Sequence, residues 1–236
     1  MDTGSINKRT ARVAGLLYLL MAVFGLIAEI FFRQKLFVAD MEVTANNILS
    51  NTFLYRIGIT SDILMALVYL LTALALYKLL SPVDKNMAGA MVVFTTAGSV
   101  LLMFNVLNEL APLYILSGSN YLSAFNTAQL QSLAMFFYNL YQHGYMIGQI
   151  FFALWVLPLG VLIYKSGFIP KVFGILFGIE AIFGVLAVIV HFLMPNATAE
   201  TIMMLPMIIA EFSFVFYLLI RGINESKLPR ELTAAQ

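Results

Sequence analysis

Residues 138–164 read YNLYQHGYMIGQIFFALWVLPLGVLIY. The second half is a continuous apolar run. With its polar approach it reaches the length of about 20 residues that a helix needs to cross about 30 Å of hydrocarbon. Lipid offers no partner for backbone N–H and C=O groups, so a lone apolar segment of this length must be helical. The first twelve residues carry three tyrosines, two glutamines, an asparagine and a histidine. Polar groups at the mouth of a span mark either a membrane–water boundary or a polar site inside the protein. The rest of the chain decides how to read them.

The 236 residues are 61% hydrophobic and 11% charged. A soluble domain carries roughly 25% charged residues, so the deficit places the chain in the membrane class. The net charge is +1 and there is no basic stripe, which excludes a nucleic-acid partner. There is no cysteine, hence no disulfide, no thiolate metal site and no cysteine nucleophile. The first apolar run, Val13 to Phe32, exceeds the 7–15 residues or so of a signal-peptide core and lacks an A-x-A exit. It is expected to be a retained span.

Six stretches have the length and composition of membrane spans: Ala11–Phe32, Phe53–Leu80, Met87–Leu116, His143–Tyr164, Lys171–Met194 and Thr198–Arg221. They predict one all-α membrane domain over residues 1–236, a six-helix bundle. The breakers between them are Ser81-Pro-Val-Asp-Lys-Asn86, Ser117-Gly-Ser-Asn120, Ser166-Gly-Phe-Ile-Pro170 and Pro195-Asn196. With the N-terminus inside, ten Lys and Arg fall on the inner side: Lys8, Arg9, Arg12, Lys78, Lys85, Lys165, Lys171, Arg221, Lys227 and Arg230. Three fall outside: Arg33, Lys35 and Arg56. This bias predicts both termini in the cytoplasm, with residues 222–236 as a cytoplasmic tail. No internal repeat is evident.

Two outer segments read as short interfacial helices, residues 40–51 and 126–142. Asn126 followed by Gln129 has capping-box spacing. A helix from Thr127 to Tyr164 would span 38 residues, about 57 Å, too long for one straight crossing. A bend at Gly144, a projection outside the membrane or a steep tilt would each accommodate it.

Four pieces carry a resemblance. They are Ala11-Arg-Val-Ala-Gly-Leu-Leu-Tyr18, Arg56-Ile-Gly-Ile-Thr-Ser-Asp62, His143-Gly144 with Gly148 and Phe151-Phe152, and Tyr164-Lys-Ser-Gly-Phe-Ile-Pro-Lys-Val-Phe-Gly-Ile-Leu176. Together they resemble the prokaryotic multi-pass family catalogued as domain of unknown function 4386, over most of the chain. The resemblance implies an integral membrane protein of bacterial or archaeal type, in the inner or plasma membrane. It implies no activity and supplies no catalytic residues.

Ionisable residues inside a span are costly and are the default functional candidates. Each span except the fourth holds one acid: Glu29, Asp62, Glu109, Glu180 and Glu211. His143 and His191 sit at span ends. Arg56 is the one base read as lying within the outer part of a span, and Asp62 is its expected partner. Five acids against one arginine cannot all be ion-paired. Some must be protonated, hydrogen-bonded, water-facing or bound to a cation. Asn105, Asn108, Glu109 and Pro112 share one helix face, as do Glu180, Gly184, Ala187 and His191. Tyr138, Gln142, Tyr145 and Gln149 share another. These faces predict an outward-facing polar cavity lined by Asp62, Asn105, Asn108, Glu109, His143, Gln149 and His191, with Glu180 at its floor.

Plainer readings stand beside that one. Glu29 and Arg33 are spaced as an interfacial pair. Arg56 can snorkel to headgroups. The asparagines and acids can be interhelical glue, and Gly144/Gly148 and Gly174/Gly178 close helix contacts.

Two histidines without H-E-x-x-H or H-x-x-x-H spacing give no metal motif, so no metal and no cofactor are expected. No G-x-S-x-G, P-loop or G-x-G-x-x-G occurs. Three function classes stay open. The first is binding of a lipid or small molecule in the cavity, with Glu/His acid–base chemistry. The second is a proton- or cation-coupled transporter of a small solute. The third is a structural or signalling membrane partner without chemistry. The expected partners are the lipid bilayer, a lipid or small-molecule ligand and a second copy of the chain.

Overall fold

The computed structural model describes residues 7–118 and 122–228. Among them there is helix and no strand. The elements are α1 (Lys8–Leu26), a π-helical segment (Ile27–Arg33), α2 (Gln34–Leu36), α3 (Met41–Ser50), α4 (Thr52–Leu80), α5 (Lys85–Leu116), α6 (Thr127–Ser166), α7 (Lys171–Leu193), α8 (Ala197–Ile220) and a 3-10 turn (Glu225–Lys227). Six helical stretches are long and apolar enough to cross a membrane, the first running from Lys8 through Leu36. Their number is that of the expected spans; the fourth, Thr127–Ser166, starts 16 residues before the expected His143.

Sequence signals account for the helix starts. Asp40 caps α3, its side chain accepting from the Val43 N–H at 2.9 Å. Asn126 and Gln129 form the reciprocal capping box: Asn126 N–H donates to Gln129 Oε1 at 2.9 Å, and Gln129 N–H to Asn126 Oδ1 at 3.0 Å. Asn196 caps α8 through the Ala199 N–H at 2.9 Å. The expected helix over residues 40–51 is α3. The separate helix expected over residues 126–142 is not: α6 runs through this stretch and span four without a break at Gly144. A glycine lowers helix propensity by about 1 kcal/mol, which is too little to interrupt a helix packed on both sides of it. The prolines inside α5, α6 and α8 (Pro112, Pro158 and Pro206) do not end their helices either.

Large apolar side chains stay on the outside: Phe104, Ile182 and Ile220 are more than half exposed. In water such a surface would be a liability; in lipid it is solvated. The chain divides into two compact units. The first comprises residues 1–20, 68–99 and 148–236, so α7 and α8 lie wholly within it. Its core is aromatic. Trp155 lies against Tyr18 and Tyr69, with ring centroids 5.6 and 5.3 Å away, and Phe214 lies 5.2 Å from Phe177. The second unit comprises residues 21–67 and 100–147. Its core gathers Phe32, Leu36, Ile48, Tyr55, Ile59 and Leu113. Gly58 is required there: a Cβ on it would fall 2.0 Å from the Phe32 ring.

Candidate functional site

The second unit is organised around one arginine. The span that begins at Lys8 leaves α-helical geometry at Ile27 and follows a wider π-helical path to Arg33. A π segment re-aims the side chains it carries, and such segments recur at functional sites. Arg33 is buried, and its guanidinium holds four groups. Nε donates to Glu29 Oε2 at 2.8 Å. Nη1 lies 2.7 Å from Asp62 Oδ2, 2.8 Å from Glu109 Oε1 and 2.8 Å from the Tyr141 hydroxyl. Asp62 comes from α4, Glu109 from α5 and Tyr141 from α6, so one side chain ties four helical stretches together. The Arg33 Cζ also lies 5.4 Å from the Tyr141 ring centroid, within cation–π range.

The surroundings are built to hold this geometry. Tyr55 donates its hydroxyl to the backbone carbonyl of Glu109. Asn105 Nδ2 donates to the Tyr141 carbonyl at 2.8 Å, and Asn108 Nδ2 to Asn105 Oδ1 at 3.1 Å. Gly144 allows Asn105 in, since a Cβ at Gly144 would sit 2.2 Å from Asn105 Oδ1. Phe37 stacks on Tyr138 with ring centroids 3.5 Å apart. Glu29 is the open end of the cluster, its side chain half exposed, while those of Asp62 and Glu109 are buried.

Two carboxylate oxygens are left over. Asp62 Oδ1 and Glu109 Oε2 are buried and have no hydrogen-bond partner. An unsatisfied buried polar atom costs about 1–3 kcal/mol, more when charged. The charge is also unbalanced: three carboxyls meet one guanidinium.

Asp62, Asn105, Asn108 and Glu109 are brought together by Arg33, Tyr141 and one another. The Glu29–Arg33 pair forms, but as the exposed edge of a buried cluster. The expected Arg56–Asp62 pair does not form. Arg56 lies in the first turns of α4 and is exposed, and Arg33 takes Asp62 instead. His143 is exposed on α6, beside the glycine that admits Asn105.

Gln149, Glu180 and His191 belong to the first unit. There His191 Nδ1 lies 3.1 Å from Glu200 Oε2. Gln149 is half-buried, and Glu180 is buried with Oε2 unpartnered. Glu180 and Ala187 are both buried, and a Cβ on Gly184 would come 2.9 Å from Ala153, so this face of α7 is packed against protein. Of the glycine pairs, Gly174 makes a close contact, with the Gly160 carbonyl 2.6 Å from where its Cβ would lie, whereas nothing lies within 4 Å of that position on Gly178. Among the described residues no group of three or more His, Cys, Asp or Glu could hold a metal ion.

The family model described as Domain of unknown function (DUF4386) matches residues 13–222. The chain belongs to that family. No curated protein and no solved structure matches it. In this DUF4386 chain the match takes in Arg33, Asp62, Glu109 and Tyr141, as well as the acids Glu180 and Glu211. Arg33 and Tyr141 were not legible as site residues. Arg33 stood among the outer charges because it follows the apolar run. Tyr141 stood among interfacial tyrosines, although at i+3 from Tyr138 and i−4 from Tyr145 it falls on their helix face. The available signals were the i, i+4 spacing of Glu29 and Arg33 and the excess of intramembrane acids, for which a nearby base is one of several solutions.

Proposed function

We propose that this multi-pass membrane protein is a proton-coupled transporter, and that Asp62 and Glu109 share the transported or coupling proton on Arg33. The observation that carries this reading is the pair of orphaned oxygens, Asp62 Oδ1 and Glu109 Oε2, on two carboxyls gripped by one guanidinium nitrogen. One added proton gives a donor to these atoms and leaves one buried negative charge against Arg33. Glu29, half in solvent, keeps its own charge screened. A metal cation fits less well, because the guanidinium already occupies the cationic position. The half-exposed Glu29 is the entry for protons. With both termini in the cytoplasm, as the positive charges favour, that entry faces outward in a prokaryotic cell membrane.

A second reading uses the same carboxyls as acid–base groups toward a bound lipid or small molecule, with Glu29 marking the opening. The two readings part experimentally. In proteoliposomes with an entrapped pH-sensitive dye, the wild type should relax an imposed pH gradient faster than empty vesicles. Asp62→Asn and Glu109→Gln should abolish the difference. Folded variants with undiminished proton movement would sink the transport reading. A lipid or small molecule retained in native mass spectrometry by wild type and lost in both variants would favour the second.

A further inference from the structure

The first unit contains a second pair of acids, Glu180 and Glu211, that the Arg33 cluster does not use. Glu180 of α7 is buried; Phe177 and Phe214 meet across the packed pair α7 and α8 with ring centroids 5.2 Å apart, and Glu180 and Glu211 each lie one helical turn from that contact, on the facing sides of the two helices. Tyr18 of α1, fully buried, donates its hydroxyl to Glu211 Oε1 at 2.8 Å. Tyr69 of α4, also fully buried, lies against Trp155 with ring centroids 5.3 Å apart. Trp155 of α6 closes the group, its ring lying between those of Tyr18 and Tyr69. Among the described residues no lysine, arginine or histidine forms an ion pair with either acid.

Three atoms at this place lack partners, all buried: the Glu180 Oε2 acceptor, the Trp155 Nε1 donor and the Tyr69 hydroxyl. Two carboxylates side by side in a medium of low dielectric, with no countercharge, are not a stable arrangement. A mobile positive charge is therefore required, and the tightly packed aromatic wall favours the smallest one.

We propose that Glu180 and Glu211 form a second proton-binding site, with the proton on Glu180 and the negative charge on Glu211. The assignment follows from the hydrogen bonding and the burial. The Tyr18 O–H donates to Glu211, which makes Glu211 the acceptor and the ionised partner. Glu180 Oε2, by contrast, is buried and receives no hydrogen bond. Protonation takes one proton from solvent, changes the site charge from −2 to −1 and breaks no other bond. This site does not depend on the transport reading, because its proton is held whether or not anything moves across the membrane.

The test is infrared spectroscopy of the carboxyl C=O band, on the full chain reconstituted in zwitterionic lipid and titrated with pH. At neutral pH the wild type should show a protonated-carboxyl band that shifts on exchange into D2O. Glu180→Gln should remove the component assigned to this site. Asp62→Asn should leave that component in place, so loss of the Asp62-sensitive component alone would count only against the transport reading. Tyr18→Phe is the second variant. It takes the hydrogen-bond donor from the ionised Glu211, so the band should persist to higher pH. The proposal is overturned if folded Glu180→Gln keeps the wild-type band at every pH. It is equally overturned if Tyr18→Phe titrates like the wild type.

Discussion

Asp62 and Glu109, from two different helices, rest on the same guanidinium nitrogen of Arg33, at 2.7 and 2.8 Å. This shared contact makes the arginine a structural keystone as well as part of the proposed proton site. Arg33→Gln would leave two buried carboxyls without a base. Removing one partner of a buried ion pair costs about 3–5 kcal/mol, and the variant should lose stability on that scale. Thermal unfolding in detergent, followed by circular dichroism, reads the loss. Adding Asp62→Asn and Glu109→Gln to Arg33→Gln should recover much of it, because the stranded charges go with the base. A triple variant no more stable than the single one would show that the cluster's charges do not couple.

The glycines give a sterically graded series. An alanine at Gly144 places its Cβ 2.2 Å from Asn105 Oδ1, and one at Gly58 places it 2.0 Å from the Phe32 ring. Nothing lies within 4 Å of the same position on Gly178. Overpacking a filled site costs typically about 1–3 kcal/mol. Gly144→Ala and Gly58→Ala should therefore melt earlier than wild type, while Gly178→Ala should match or exceed it. Gly144→Ala should also displace Asn105 from the Tyr141 carbonyl, and so reduce proton movement in vesicles beyond what its stability predicts.

Arg56 tests the corrected pairing. It is exposed and leaves Asp62 to Arg33. Substitutions away from buried networks usually stay within about 0.5 kcal/mol. Arg56→Ala should melt like wild type and leave the pH response of the Arg33 cluster unchanged. A loss comparable to that of Arg33→Gln would restore Arg56 as the partner of Asp62.

The spans were legible because apolar length is a local property, read directly from runs such as residues 150–164. The caps at Asp40, Asn126 and Asn196 were equally local. The Asn105/Asn108/Glu109 face was legible for the same reason, since helical spacing puts those side chains on one side. Arg33 was not, because its role depends on a π-helical path and on acids 29 and 76 residues away in sequence. Its position just past an apolar run made it look like a boundary charge. The uninterrupted course of α6 through Gly144 was also hidden. Local propensity marks a weak point there, and packing of Tyr138, Tyr141 and Met146 on either side overrides it.

Asp84 supplies a pH dependence outside the spans. It caps α5, accepting from the Met87 N–H at 3.1 Å, with Lys165 Nζ 3.6 Å away. The Met87 N–H bond first, and then the lysine, hold its carboxyl below the ordinary aspartate value. A depressed folded value means that the stabilisation is present above the unfolded aspartate range of about 3.9 and is lost as pH falls through the folded value. Melting curves taken downward from pH 6 should show wild type losing this increment in the acid limb. Asp84→Asn keeps a good helix cap but has no charge to titrate. Its curve should therefore lie slightly below wild type at pH 6 and converge with it in acid. Asp84→Ala should lie below both at pH 6. An Asp84→Asn curve that stays parallel to wild type throughout would mean that the cap acts without its charge.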